Sequence, residues 1–338
     1  MLVAHYRGDE EAFHAAVEEY VAEERRKNHH VVARDLERLL GNYGGSQAVA
    51  LDSLALLGVP SHNLLHDKER GILLIDVSEA RRGMESLVLS EAVREAILRV
   101  IRENRCADLL RAHGLKPIGK VLFCGPPGCG KTVAAEAVAR ELYLPLVLVR
   151  FDAIVSSYLG ETAANLRKVF DFARTRPMVL LFDEFDAIGK QRTLEDEHGE
   201  LKRVVNSFLQ MLDSYRGEAL IIAATNYQGL LDHALWRRFD DIIYFDKPDA
   251  TIIEALLVGY LRQMGVSPAV SLKHIAERLV GMSHADIERI ANDAIKETVL
   301  QNCPMVEPEV LERAVRRQLT RAEITAQQPA STHEEASD

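Results

Sequence analysis

Lys131 and Thr132 close a glycine-rich run, Gly125-Pro126-Pro127-Gly128-Cys129-Gly130-Lys131-Thr132, that follows directly on the apolar stretch Val121-Leu122-Phe123-Cys124. A strand emptying into such a turn builds a phosphate cradle. Gly125, Gly128 and Gly130 let the backbone fold tightly enough for successive N–H groups to face one anion, and the following helix adds its positive N-terminal end. Lys131 is then placed to reach the β- and γ-phosphates of a bound nucleotide, and the Thr132 hydroxyl to ligand Mg²⁺. Pro126 and Pro127 belong to the same nucleotide-binding run, in which Cys129 reads as a small residue giving only its N–H. Oxidation of that thiol to block the loop is the weaker of its two readings.

A second constellation follows about fifty residues later. Met178-Val179-Leu180-Leu181-Phe182 is a buried strand ending in Asp183 and Glu184. Asp183, first past the apolar run, is suited to hold the Mg²⁺ shell through water, and Glu184 to orient and deprotonate an attacking water. Ala219 to Thr225 is another apolar run, and it ends in a neutral amide, Asn226, suited to bond the γ-phosphate or the water.

These groups need a scaffold that brings strand ends together. Compact apolar runs predict strands at Lys120–Cys124, Leu144–Phe151, Met178–Asp183, Ala219–Thr225 and Asp241–Phe245, with a further short one at Gly71–Asp76. Helical spacing separates them, as in Leu166, Val169, Phe170 and Ala173. Such alternation builds an α/β fold: a parallel sheet with helices on both faces and ligands at the carboxyl ends of the strands. Ser90 is expected to cap a helix before the first of these units.

Beyond Pro248 the strands cease, and Ser283 opens a helix with the apolar stripe Ile287, Ile290, Ala291, Ala294 and Ile295. The expected organisation is therefore a helical N-terminal docking or oligomerisation unit over 1–70, a large α/β domain over 71–248, a small helical lid over 249–322 and a disordered tail over 323–338. His29-His30 in the first unit read as a solvated helix end, with no partner at metal-ligand spacing.

The 338 residues include 51 acidic and 41 basic side chains, a net charge of −10. That balance disfavours a general nucleic-acid binder. No long uncharged apolar run or basic-then-apolar leader is present, so neither a membrane span nor a secretory signal is expected. Four cysteines without metal-like spacing fit a reducing, cytoplasmic setting.

In this order these pieces resemble an AAA+ ATPase, and within that group the AAA clade of proteasomal ATPases and membrane-anchored AAA proteases. The resemblance covers roughly Leu87 to Leu319. It implies that Gly125 to Thr132 is Walker A, that Asp183 and Glu184 are Walker B, and that Asn226 is sensor 1. Leu231-Asp232-His233-Ala234-Leu235-Trp236-Arg237-Arg238-Phe239-Asp240 resembles the segment carrying the clade's arginine fingers, with Arg238 as the second and Arg237 as the first. Most members separate the two, whereas here they adjoin. Gly281 to Asp286 resembles the lid segment in which a small residue replaces the sensor 2 arginine. Ser156-Ser157-Tyr158-Leu159-Gly160-Glu161 resembles pore loop 1, with Tyr158, Leu159 and Gly160 gripping extended polypeptide, and Gln191 to Gly199 would line the channel below.

The resemblance implies a Mg²⁺-dependent ATPase assembled as a homo-hexameric ring that pulls protein substrate through its centre. Lacking a His-Glu-x-x-His or serine-nucleophile motif, the chain is not expected to cleave substrate itself, which leaves a separate protease or adaptor open as a partner. The alternatives are a remodeller of a specific folded partner without threading, and a nucleic-acid-associated motor. The adenine-side signature is not recognisable near Ile75 to Glu79.

Overall fold

The computed structural model describes residues 65, 73–78, 80–154, 159–185, 207–226 and 236–327. Its centre is a six-stranded sheet: β1 (Ile75–Ser78), β2 (Lys120–Cys124), β3 (Leu146–Val149), β4 (Val179–Phe182), β5 (Leu220–Thr225) and β6 (Asp241–Tyr244), in the spatial order β1-β3-β4-β5-β2-β6. Every residue of β4 and β5 is buried, as expected of parallel strands covered on both faces. Their unbroken apolar sequences follow from that position.

Helices α1 (Glu91–Arg105), α2 (Ala107–Ala112), α3 (Lys131–Leu142), α4 (Phe151–Ile154), α5 (Leu159–Ala173) and α6 (207–214) accompany the sheet. Two apolar cores result, one centred on Phe170, Phe182 and Phe208, the other on Phe123, Val138 and Phe245. In the first, Phe182 and Phe208 meet edge to face at 5.0 Å, and Phe185 lies 4.6 Å from Phe208. This aromatic cluster anchors the chain on both sides of Asp183 and Glu184.

The chain leaves β2 and enters β3 with two strand positions between them, then fills these with β4 and β5, so that β5 lies beside β2. Reversals of this kind open a crevice at the carboxyl ends of the strands. The ends of β2, β4 and β5 are neighbours there, so the glycine-rich turn, Asp183-Glu184 and Asn226 share one edge of the sheet.

The C-terminal helices α7 (Ala250–Leu261), α8 (Leu272–Arg278), α9 (His284–Leu300) and α10 (Pro308–Gln327) enclose a third core, with Leu257, Ile287, Ile290 and Leu311 fully buried. Asp249 caps α7 by accepting from Ile252 N–H at 2.8 Å. Ser283 and Asp286 form a reciprocal capping box at the start of α9. These caps explain why the lid helices begin where they do.

Several expectations change. β1 pairs antiparallel with β3, so the sheet is mixed at one edge, and this strand occupies Ile75–Ser78 rather than Gly71–Asp76. Ser90 takes the cap position of α1 without a capping bond from its side chain. α5 begins at Leu159 rather than near Thr162, which puts Leu159 and Gly160 in its first turn. α10 runs to Gln327, past the expected boundary at 322. Apart from Leu65, the predicted N-terminal unit lies outside the described residues, as do Tyr158, Gln191 to Gly199 and Leu231 to Leu235. Among the described residues no helix is long and apolar enough to cross a membrane.

Candidate functional site

The turn after β2 depends on three left-handed glycines, Gly125 (φ 141°), Gly128 (φ 73°) and Gly130 (φ 92°). At Gly125 a Cβ would overlap the Phe245 carbonyl oxygen. At Gly128 it would lie 2.8 Å from Ser283 Oγ and 3.1 Å from Ala285 Cβ, because the start of the lid helix α9 packs directly on the turn. Ala285 N–H donates to the Gly128 carbonyl at 3.0 Å. Gly130 occupies the cap position of α3, whose first turn therefore opens onto the concave side of the loop.

Lys131 is only 6% exposed, and its Nζ donates to the carbonyls of Gly125 at 2.7 Å and Pro126 at 2.8 Å. The ammonium thus lies within the loop that the glycines shape. Cys129 is 1% exposed, and burial pushes its thiol pKa up against the opposing pull of Lys131. A buried, protonated thiol of this kind is a packing group rather than a reactive one.

Thr132 Oγ1 donates to Asp183 Oδ2 at 2.6 Å, joining the first turn of α3 to the end of β4. The other Asp183 oxygen accepts the Glu184 N–H at 2.8 Å. Glu184 has φ 50°, a left-handed conformation that a side chain adopts at a cost of about 1–2 kcal/mol. The next residue restores order: Phe185 N–H donates to the Ala224 carbonyl at 2.9 Å, tying the turn to β5. Glu184 is held in an unfavourable conformation between two anchored neighbours, a pattern that clusters at functional sites.

Gly128, Lys131, Thr132, Asp183, Glu184 and Asn226 all line one cleft of about 500 Å³, a volume suited to a small-molecule ligand. The same cleft is lined by an apolar group, Leu87, Val88, Leu89, Leu256 and Tyr260, together with His284. Apart from His284, which falls in the lid segment Gly281 to Asp286, this apolar wall is the part that the motifs miss. It lies after the stretch Ile75–Glu79, and the one nearby sequence cue is Ser90, which marks the start of α1 just beyond it. Residues 81 and 82 are clamped to α3: Glu136 Oε1 accepts from Arg81 N–H at 3.0 Å and Arg82 N–H at 3.1 Å, and Arg140 donates to the Arg81 carbonyl. One helix therefore sets both the phosphate loop and the strap leading to the apolar wall. Burial raises the Tyr260 pKa, helped by Glu288, so its phenol stays protonated.

Arg237 and Arg238 are not part of this cleft. Asp240 Oδ2 accepts from Gly119 N–H and Lys120 N–H, both at 2.9 Å, which fixes their segment beside the start of β2. The phosphate loop begins at the other end of that five-residue strand, about 17 Å away at 3.3 Å per residue. Arg238 Nε instead donates to Asp213 Oδ2 at 2.8 Å, while Arg237 is exposed.

Residues 121–247 match the model of the ATPase family associated with various cellular activities (AAA). The chain is 41% identical over 320 residues to the protein named uncharacterized AAA family ATPase y4kL of Sinorhizobium fredii, covering 95% of this chain and 94% of that protein. It is also 36% identical over 236 residues to the peroxisomal ATPase PEX6 of Neurospora crassa, covering 65% of this chain and 17% of that much longer protein.

Proposed function

Because the chain belongs to the AAA family of ATPases, we infer that copies of it assemble so that each completes its neighbour's site, and that ATP hydrolysis there drives mechanical work on protein substrates. The observation that carries this reading is the separation of Arg237 and Arg238 from the phosphate loop of their own subunit, held by the bonds of Asp240 to the start of β2. An arginine that neutralises charge developing on a γ-phosphate must approach it closely. On this reading it does so across an interface, and hydrolysis becomes conditional on assembly. A hexameric ring is the arrangement proposed.

The roles within the cleft follow from position. The loop N–H groups and Lys131 bind the phosphates, and the apolar wall from Leu87 to Leu89 with Leu256 and Tyr260 receives the base. The Thr132 hydroxyl and the Asp183 carboxylate, both hard oxygen donors, fit Mg²⁺ and would hold it together with phosphate oxygens and water. When bound, the ion neutralises charge on the β- and γ-oxygens. Glu184 takes the proton of the attacking water, and Asn226 orients that water or the γ-phosphate. Because the lid rests on Gly128 through Ala285, loss of a phosphate from the loop is felt by the lid. The proposed consequence is a lid movement that shifts Tyr158, Leu159 and Gly160 against substrate in the ring, threading it or tugging a folded partner.

Turnover measured with no addition, with an unfolded protein and with DNA tests the reading. Stimulation by the unfolded protein alone is expected. Stimulation by DNA alone would replace the protein-remodelling reading with the nucleic-acid one. Tyr158→Ala is expected to reduce the amount of substrate processed per ATP hydrolysed.

A further inference from the structure

His284 joins the lid to the apolar wall of the cleft. It is the first residue of α9, and its Nε2 lies 3.2 Å from the Val88 carbonyl oxygen. A carbonyl only accepts, so the ring proton is on Nε2, and Nδ1 keeps a bare lone pair. Nδ1 is buried and has no hydrogen-bond partner. Burial lowers the pKa of the ring, with the Val88 bond pulling the other way, so the imidazole is neutral.

The backbone around His284 is equally engaged. Ala285 N–H donates to the Gly128 carbonyl. The Val88 side chain also packs against the lid's apolar core. Within two residues the lid therefore touches both the phosphate loop and the base-side strap. An apolar side chain at 284 would pack here without stranding a buried nitrogen, which is costly. Packing alone gives no reason for an imidazole, whereas a bond from Nε2 to Val88 does.

On the premise that this cleft holds a nucleotide, we propose that His284 is a positioning residue for base selection, fixing the direction of the Val88 carbonyl by donating Nε2–H to it. Adenine presents its N6 amine, a donor, where guanine presents O6, an acceptor. A carbonyl of fixed direction accepts from the first and repels the second, and a site built on one fixed polar group discriminates strongly. His284 contributes by steering that peptide rather than by touching the reacting atoms.

Direct calorimetric titration of the full chain with ATP and with GTP, both with Mg²⁺, tests this. His284→Ala is expected to lower the ATP-to-GTP affinity ratio about tenfold, the effect of one hydrogen bond. His284→Gln, whose amide nitrogen reaches the place of Nε2, restores the ratio, and His284→Asn, whose amide reaches only the place of Nδ1, does not. Should His284→Ala fail to fold, the Gln and Asn variants decide between them. An unchanged ratio in His284→Ala, or rescue by Asn and not by Gln, overturns the proposal. Lys131→Ala separates the premise: ATP binding undiminished by that change removes the nucleotide reading, whereas lost binding beside an unchanged ratio removes only the role of His284.

Discussion

Thr132 and Asp183, 51 positions apart in sequence, meet at 2.6 Å between hydroxyl and carboxylate. The contact closes the gap between the helix that follows the phosphate loop and the strand that ends in two acids. It also leaves Asp183 spanning two donors, Thr132 Oγ1 and the Glu184 N–H. The carboxylate thereby positions the next residue as well as the Thr132 hydroxyl.

Asp183→Asn keeps an oxygen to accept from Thr132 but loses the charge. Turnover is expected to fall about a hundredfold or more, with a higher Mg²⁺ concentration needed for half-maximal rate. A steady-state ATPase assay over a Mg²⁺ titration measures both, and an unaltered Mg²⁺ requirement would remove Asp183 from the metal.

Glu184 combines a carboxylate with a left-handed backbone, φ 50°, and two substitutions separate them. Glu184→Gln should cut turnover by about 10²–10⁴ while ATP stays bound in a stable assembly. Glu184→Gly should cut turnover as deeply yet raise stability by about 1 kcal/mol, because glycine carries no strain there. Chemical denaturation of the Gly variant checks the second half; a loss of stability would mean that the side chain, not the backbone, governs this turn.

Gly128→Ala places a methyl group against Ser283 and Ala285 in a backbone conformation suited to glycine. The lid must move off the phosphate loop, so ATP affinity should fall more than stability, by over about tenfold against about 1–2 kcal/mol. Titration calorimetry together with thermal melting would reveal this, and wild-type affinity would show that the lid contact is dispensable for binding.

Tyr215 is buried, donates to the Ala173 carbonyl at 2.9 Å and accepts from Ala219 N–H at 3.1 Å. Desolvation, partly offset by the Ala219 bond, pushes its pKa up to about 12. Above pH 10 the unfolded chain releases this proton while the folded chain retains it. The contribution of this group to stability is therefore constant below pH 10 and declines as pH rises from 10 to 12. Tyr215→Phe should cost about 1–3 kcal/mol near neutral pH, through two stranded backbone groups, and should lack this part of the alkaline decline in pH-dependent denaturation.

What the sequence discloses and what it hides have separate physical causes. Buried parallel strands must be apolar throughout, so β2, β4 and β5 stand out, and a phosphate loop needs glycine at fixed places. The antiparallel pairing of β1 leaves no such trace, because four residues alternating in burial suit either direction. The apolar wall is equally silent, since Leu87 to Leu89 present backbone and ordinary aliphatic groups to the cleft, and His284 and Tyr260 reach it only through the packing of the lid. Arg237 and Arg238 stood out by resemblance, but their distance from their own phosphate loop became visible only through the bonds of Asp240.

The central claim is that an arginine of one copy completes the site of another. Lys131→Ala subunits bind no ATP but keep their arginines, and Arg238→Ala subunits bind ATP but lack the donor. Each is expected to be nearly inactive alone, and titrating one into the other at constant total protein should restore ATPase activity with a maximum at intermediate ratios. No recovery at any ratio, from two variants shown to co-assemble, would contradict the account.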